Sequence, residues 1–527
     1  MSKPSRPERP TRRCHAGRLA VAAAAVLALG GCTLSEAPTD PRVIRVAARI
    51  APNSLDPRMA NDEGTGRVAE VHQRVEEQLG DDLRVMPVLA TALDNPDPLT
   101  YIAHIRRGVT FHDGQPLTAR DVVFTFGKML EPDFISPYKG AYRMLAAVTA
   151  IDDYTVRFTL KEPFAAFPMQ LTTPPVVPAH AADQLRTHPI GTGPYRFVRY
   201  DVDDRVELAA NEQYWDGAPS NGGISMKIVP DDTMRGLELR NGSADMIIND
   251  LPPDIVHQLE RSGSFRVTRS DGLDFSYIGF NMQDPVLSDK RVRHAIGYAI
   301  DRDAIVRYLR RGLAQPAFGL IPPQSWAFEP DVLTFAHDPA RAMRLLDEAG
   351  FPDPDGDGPQ PRLRLSLKIS TNEEFRLQST VIQQDLRRVG IDLDLRSYEF
   401  ATLFADVLAG NFQMFSLQWV SGALADPDIL RRVFHSEQAP PAGFNRGHYR
   451  NPEVDRLLAE ASNATTEAER KVLYGRVQQL VAEDAPYIPI WNRTNVVIAQ
   501  PSLAELRVNA MGDYTALKNV RRLAAAP

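Results

Sequence analysis

The chain has 527 residues with 60 basic and 67 acidic side chains, a formal charge of −7. That balance argues against binding a nucleic-acid backbone, which needs a basic patch. With 43% hydrophobic residues, 22 Phe, 15 Tyr and 4 Trp, it can build large packed cores, so a disordered chain is excluded and roughly three to four domains are expected.

Residues 1–18 hold Lys3, Arg6, Arg9, Arg12, Arg13 and Arg18 against Glu8, and Leu19 to Leu29 is an unbroken apolar run of eleven. Spanning a bilayer takes about twenty apolar residues, so residues 1–31 are expected to be a signal peptide. Removing six basic residues and one acid takes the net charge from −7 to −12. Leu29-Gly30-Gly31-Cys32 resembles the bacterial lipobox, which implies acylation of Cys32 and a membrane attachment through the lipid. The only other cysteine, Cys14, leaves with the leader. No internal disulfide, cysteine nucleophile, thiolate zinc site or iron–sulfur cluster is then possible. Residues 32–41, small, polar and proline-bearing, read as a tether.

Val43–Ala47 is the first strand-like run. Thr118 and Asp121 form a capping-box start for a helix over 122–130. Asp338-Pro339 opens a helix that Gly350 closes, and Asn451-Pro452 opens another. Residues 371–390 place Phe375, Ile382, Leu386 and Val389 at helical spacing. Residues 155–160, 205–208, 225–229, 363–369, 391–395 and 412–417 read as strands. Strands and helices alternating at these intervals predict α/β lobes.

The motifs that carry catalysis are missing: no G-x-S-x-G, H-E-x-x-H or G-x-x-x-x-G-K-[ST] occurs. Gly191-Thr-Gly193 starts like a dinucleotide fingerprint, but Pro194 and Tyr195 fill the loop. The eleven histidines show no metal-ligand spacing. No enzyme activity, cofactor or resident metal is expected. Asp353, Asp355 and Asp357 resemble half of a calcium loop, but its twelfth position is Arg364 where a bidentate Glu belongs. An acidic turn is the preferred reading. Gln418-Trp419-Val420-Ser421-Gly422 ends a strand-like run beside Asp426-Pro427-Asp428, a place where α/β lobes hold ligands.

Several blocks in order carry a family resemblance. They are Asp97-Pro-Leu-Thr-Tyr101, Ile105 to Gly114, Pro116 to Phe126, Gly191 to Tyr195, Asn211-x-x-Tyr-Trp215 and Gly279-Phe-Asn281. Asp289 to Ala295, Ala299 to Arg302, Leu345 to Gly350 and Asn451-Pro-x-Val-Asp455 complete the series. Together they resemble the extracellular solute-binding proteins of the peptide/nickel class, the receptors of ABC importers. The resemblance implies an α/β, two-lobed, hinged fold of the periplasmic-binding-protein kind with an extra domain. Lobe I would comprise 42–82, 189–281 and 492–527, the extra domain 83–188, and lobe III 282–491, with hinge crossings near 281 and 491. The partners implied are a small peptide or peptide-like solute and a permease with its ATPase subunits, the receptor itself being a monomer.

In peptide-binding relatives the ligand backbone pairs like an added strand. Carried over, the pairing segments are Met59–Glu63, including Asn61, Asp62 and Glu63, and Gln418–Gly422. Phe400, Tyr138 or Tyr142, Trp491 and Asn492 match pocket-lining positions. Where those relatives place the aspartate that pairs with the peptide's ammonium, this chain has Gly422. Asp62, Glu63 or Asp426 is therefore expected to substitute, or else the ligand lacks a free amine there. Arg446 is a candidate partner for a ligand carboxylate, with an exposed surface arginine as the alternative. A non-peptide solute (glycoside, opine or metal chelate) and, in another class, a secreted hydrolase are the competing readings.

Overall fold

The computed structural model describes residues 40–60, 62–72, 77–80, 82–356, 358–420, 424–464 and 466–523. The leader, Cys32, Asn61, Asp357, Ser421 and Gly422 lie outside the described residues.

The local signals act where expected. The Asp121 carboxylate accepts from the Thr118 N–H at 3.0 Å and opens the helix Ala119–Lys128. Asp338 accepts from the Arg341 N–H at 2.9 Å, and the helix Pro339–Glu348 stops before Gly350, whose φ of +91° suits a residue without Cβ. Asn451 caps Pro452–Asn463 through the N–H groups of Glu453 and Val454.

Among the described residues eleven strands form one mixed sheet. Its order runs 391–398, 363–370, 414–419, 266–280, 487–499, 246–248, 43–48, 223–228, 205–210, 195–201, with Ala314–Pro316 added against 487–499. The two long antiparallel strands, Arg266–Phe280 and Tyr487–Ala499, knit its halves together. Residues 266–271 pair with 494–499, and 275–279 pair with 487–492. The register shifts between Asp271 and Phe275, opposite Asn492–Thr494. The irregularity thus lies before the crossing expected near 281, where the strand simply ends, and close to the one expected near 491.

The apolar interior divides in the same way. Ile44, Val46, Ile224, Met226 and Val497 pack on the first half of the sheet. Two clusters cover the opposite faces of the second half: Ile278, Leu365, Ile369, Ile382 and Trp491 on one, Phe275, Tyr277, Phe415, Trp419 and Tyr487 on the other. Within 83–188 a separate antiparallel sheet, ordered 90–97, 100–105, 155–160, 145–152, carries its own core around Phe126, Phe158 and Phe167. Among the described residues no helix is long and apolar enough to cross a membrane.

Candidate functional site

Strand pairing decides which expected site residues meet. Opposite partners in a ladder share a face, and neighbours along a strand alternate. Phe275 faces Trp419 on one side and Asn492 on the other, so Trp419 and Asn492 share its face with Tyr277. Ser276 faces Gln418 and Trp491, which puts those two on the reverse face.

On the Trp419 face stands Arg446, 6% exposed. Its loop is fixed by Asn445, whose Nδ2 donates to the His435 and Tyr449 carbonyls at 3.1 and 2.8 Å while its Oδ1 accepts from the Tyr449 N–H at 2.8 Å. Gly447 lets the loop press on the end of the 266–280 strand, because a Cβ there would meet the Phe280 carbonyl oxygen at 2.4 Å. So placed, the guanidinium carbon lies 4.8 Å from the Trp419 ring centre, 5.2 Å from Phe404 and 5.5 Å from Phe444, a cation among π faces. Its Nη1 donates to the Tyr277 hydroxyl at 3.0 Å. Tyr277 stacks on Tyr487 with ring centres 4.2 Å apart. Phe400, 54% exposed, stacks on Phe404 at 5.8 Å, and Val420 is exposed beside Trp419. Phe400, Trp419, Val420 and Arg446 therefore lie in one cluster, and Arg446 is buried, not an exposed surface arginine.

The reverse face is a closed polar group. Trp491 is 1% exposed. Its Nε1 donates to Gln378 Oε1 at 2.6 Å, Gln378 Nε2 donates to the Ser276 hydroxyl at 3.2 Å, and the Arg310 guanidinium covers the indole at 4.3 Å. Burial, reinforced by Arg493 and partly offset by Asp274, pulls Arg310 down to about 9, although it also pairs with Glu374. Gln418 Nε2 donates to Asp274 at 2.9 Å. Trp491 is thus interior, not pocket-lining, because the register with Ser276 turns it away from Trp419.

The acids expected to replace the missing aspartate are engaged elsewhere. Asp62 accepts from Thr65 N–H and Oγ1–H at 2.8 and 2.6 Å, capping the helix Glu63–His72. Glu63 pairs with Arg49 and Arg67, and Arg67 also pairs with buried Asp250. Asp426 accepts from the Asp428 N–H at 2.6 Å and lies 3.8 Å from Arg470. Burial and the charge of Asp428 push it up to about 6. Tyr142 is a core residue beside the small antiparallel sheet, its hydroxyl within hydrogen-bonding reach of the Gln170 and Thr173 carbonyls. Tyr138 is half-buried, and burial with the charges of Glu70 and Asp62 raises its hydroxyl to about 12. Asp353 and Asp355 serve turn hydrogen bonds to Asp355 and Gln360 N–H groups. Among the described residues no three His, Cys, Asp or Glu side chains converge as metal ligands.

Sequence reasoning missed Tyr277, Tyr487, Phe404 and Phe444. The alternation of the 266–280 strand could have turned Tyr277 inward, but its partner lies 169 residues away.

A mixed sheet in two halves beside a separate small antiparallel sheet is a frame that can hold a small solute. Residues 84–441 match the bacterial extracellular solute-binding proteins, family 5, and the chain belongs to that family. It is therefore an extracytoplasmic binding protein rather than an enzyme, and it takes a small solute to an ABC transporter. The chain is 32% identical to the glutathione-binding protein GsiB of Pectobacterium atrosepticum over 449 residues, 82% of this chain and 85% of that one. It is 29% identical to heme-binding protein A of Haemophilus influenzae over 463 residues, 81% and 83% of the two chains. The oligopeptide-binding protein AppA of Bacillus subtilis, solved with a nonapeptide, superposes with a TM-score of 0.75 at 26% identity, over 91% of this chain and 99% of that one. The fold is the mixed α/β one of these receptors, two lobes plus an extra domain.

Proposed function

We propose that this receptor captures peptides or peptide-like solutes between its lobes for import, and that a lipid on Cys32 holds it at the membrane. The observation that carries the peptide reading is an open strand edge beside the aromatic site. The 414–419 strand pairs with 266–280 along its whole length. Its parallel pairing with 363–370 ends at Lys368 opposite Phe415, so Ser416 to Trp419 keep one edge without a strand partner among the described residues. An extended peptide can add there by main-chain hydrogen bonds, which tolerate varied side chains. Similarity to a receptor solved with a nonapeptide supports the same reading. The Leu29-Gly30-Gly31-Cys32 sequence supports the anchor.

Native mass spectrometry with a mixed pool of di- to nonapeptides, haem and a nickel–histidine complex tests the ligand class. Retention of peptides is expected; retention of haem or the nickel complex with no peptide overturns it. For the anchor, Cys32→Ser should move the protein from the membrane fraction to the soluble one.

A further inference from the structure

We propose that the pocket around Arg446 takes the free carboxylate of the solute, so that this receptor selects by the acid end of its ligand and does not require a free amine. The inference rests on the peptide-like reading above and names which end of such a solute is held.

Arg446 is buried, and among the described residues no carboxylate lies within ion-pairing distance of it. The three rings cover the faces of the guanidinium, but cation–π contacts do not use the N–H groups on its edge. Of these, Nη1 reaches the Tyr277 hydroxyl, while Nε is buried without a partner. Two further polar groups gather at that hydroxyl. Trp419 Nε1 and the Tyr487 hydroxyl also converge on the Tyr277 hydroxyl, though neither makes a hydrogen bond of full geometry there. Asn492 Nδ2, on the same sheet face, lacks a partner among the described residues. Trp419, Tyr487 and Asn492 are each 7% exposed.

Guanidinium and indole nitrogens can only donate. A group that meets the guanidinium edge must accept hydrogen bonds, and one that also balances the buried charge is an anion, which a carboxylate is. An ammonium in the same place would meet Arg446 with like charge. Asp62, Glu63 and Asp426, the acids expected to welcome it, already serve a helix cap, two arginines and a buried turn. The approach is apolar. Exposed Phe400 stacks on Phe404, which with Phe444 flanks the guanidinium beside exposed Val420, surroundings that suit an aryl or branched group next to the acid.

Titration calorimetry on the full chain with three probes tests the assignment: N-acetyl-phenylalanyl-glycine, its C-terminal amide, and phenylalanyl-glycine amide with a free amine. The acid should bind about ten- to a hundredfold more tightly than either amide, the range for a charged hydrogen bond. Arg446→Gln should remove that preference, and Tyr277→Phe should reduce it. If Arg446→Gln fails to fold, the acid-against-amide comparison on the unaltered protein still decides. Equal affinities, or tighter binding of the free-amine amide, would overturn the carboxylate pocket and leave the peptide-like reading standing. Binding of none of the three, nor of any peptide in the pool, would overturn both.

Discussion

Replacing Gly279 by alanine tests whether the floor of the site is as closely packed as its geometry requires. Gly279 faces Phe415 across the 266–280/414–419 ladder, and a Cβ there would lie 2.3, 2.6 and 3.0 Å from atoms of the Phe415 ring. The ring is fully buried and has nowhere to retreat. Phe412 meets it edge-on at 4.9 Å, Tyr277 at 5.8 Å and Tyr487 at 6.5 Å. Added volume must force the ring from its rotamer or part the strands, at a cost of about 2–3 kcal/mol. For a lobe of this size each kcal/mol moves Tm by about 2–4 °C, so a fall of about 4–12 °C is expected in a thermal melt followed by circular dichroism. Pairing the change with Phe415→Leu makes room for the methyl group. The double variant should then be more stable than the sum of the single changes by about 1 kcal/mol or more. A Gly279→Ala protein melting within about 1 °C of the parent, or strictly additive single effects, would refute the packing account.

Three further outcomes follow from charged groups. Burial works to raise the Asp245 carboxyl, but hydrogen bonds from Arg45 and Arg522 outweigh it and hold it below the usual range. A depressed pKa contributes stability above the unfolded value that is lost as pH falls through the folded one. Asp245→Asn should therefore cost about 2 kcal/mol at pH 7, a value reduced from that of a fully buried pair because both arginines are partly exposed. The difference should vanish in strong acid; a gap constant with pH in denaturant titrations would contradict this. Glu70 is pushed up to about 8 by burial and by Asp513, against the Tyr514 N–H that it accepts. Its folded form keeps a proton that the unfolded chain has released, so stability falls as pH rises from about 4.5 to 8. Glu70→Gln should match the parent melting curve at pH 4 and exceed it at pH 9, and identical curves at pH 9 would contradict the buried proton. Asp426→Asn should lower Tm while leaving ligand affinity within about threefold, since Asp426 serves the turn at Asp428 and Arg470. A large loss of affinity with unchanged Tm would return it to the binding site.

How much of this was legible beforehand depends on how far each signal reaches. Caps at Thr118, Asp338 and Asn451 act within three residues, and each helix begins directly after its cap, the first at Ala119 and so three residues before the expected 122. Strands such as Thr155–Leu160 and Leu363–Ser370 were readable from alternation and apolar runs. The long-range register was not. Trp491 and Asn492 are neighbours with equal claims as pocket residues, and only pairing to Ser276 and Phe275 sends one inward to Gln378 and the other to the Trp419 face. Tyr142 and Tyr138 differ in the same way, one closed into the core around Phe126 and the other half-buried. Arg446 was picked out from its loop, but its Tyr277 and Tyr487 neighbours come from two other strands and had no local mark.

The strand Tyr487–Ala499 also sets the order in which the molecule can mature. Met246–Ile248 pairs with Ile498 and its neighbours, and Arg266–Asp271 pairs with 494–499, so the first lobe is completed by nearly the last of the described chain. A polypeptide exported amino end first would hold Val46, which packs with Val497, and Ile247, which packs with Ile498, unsealed until some 250 later residues had crossed, on the separation of the paired strands. Folding outside the membrane is therefore a waiting problem: the early half must avoid aggregation until the late strand arrives. Truncating the chain before 487 would leave both lobes unfinished, not one.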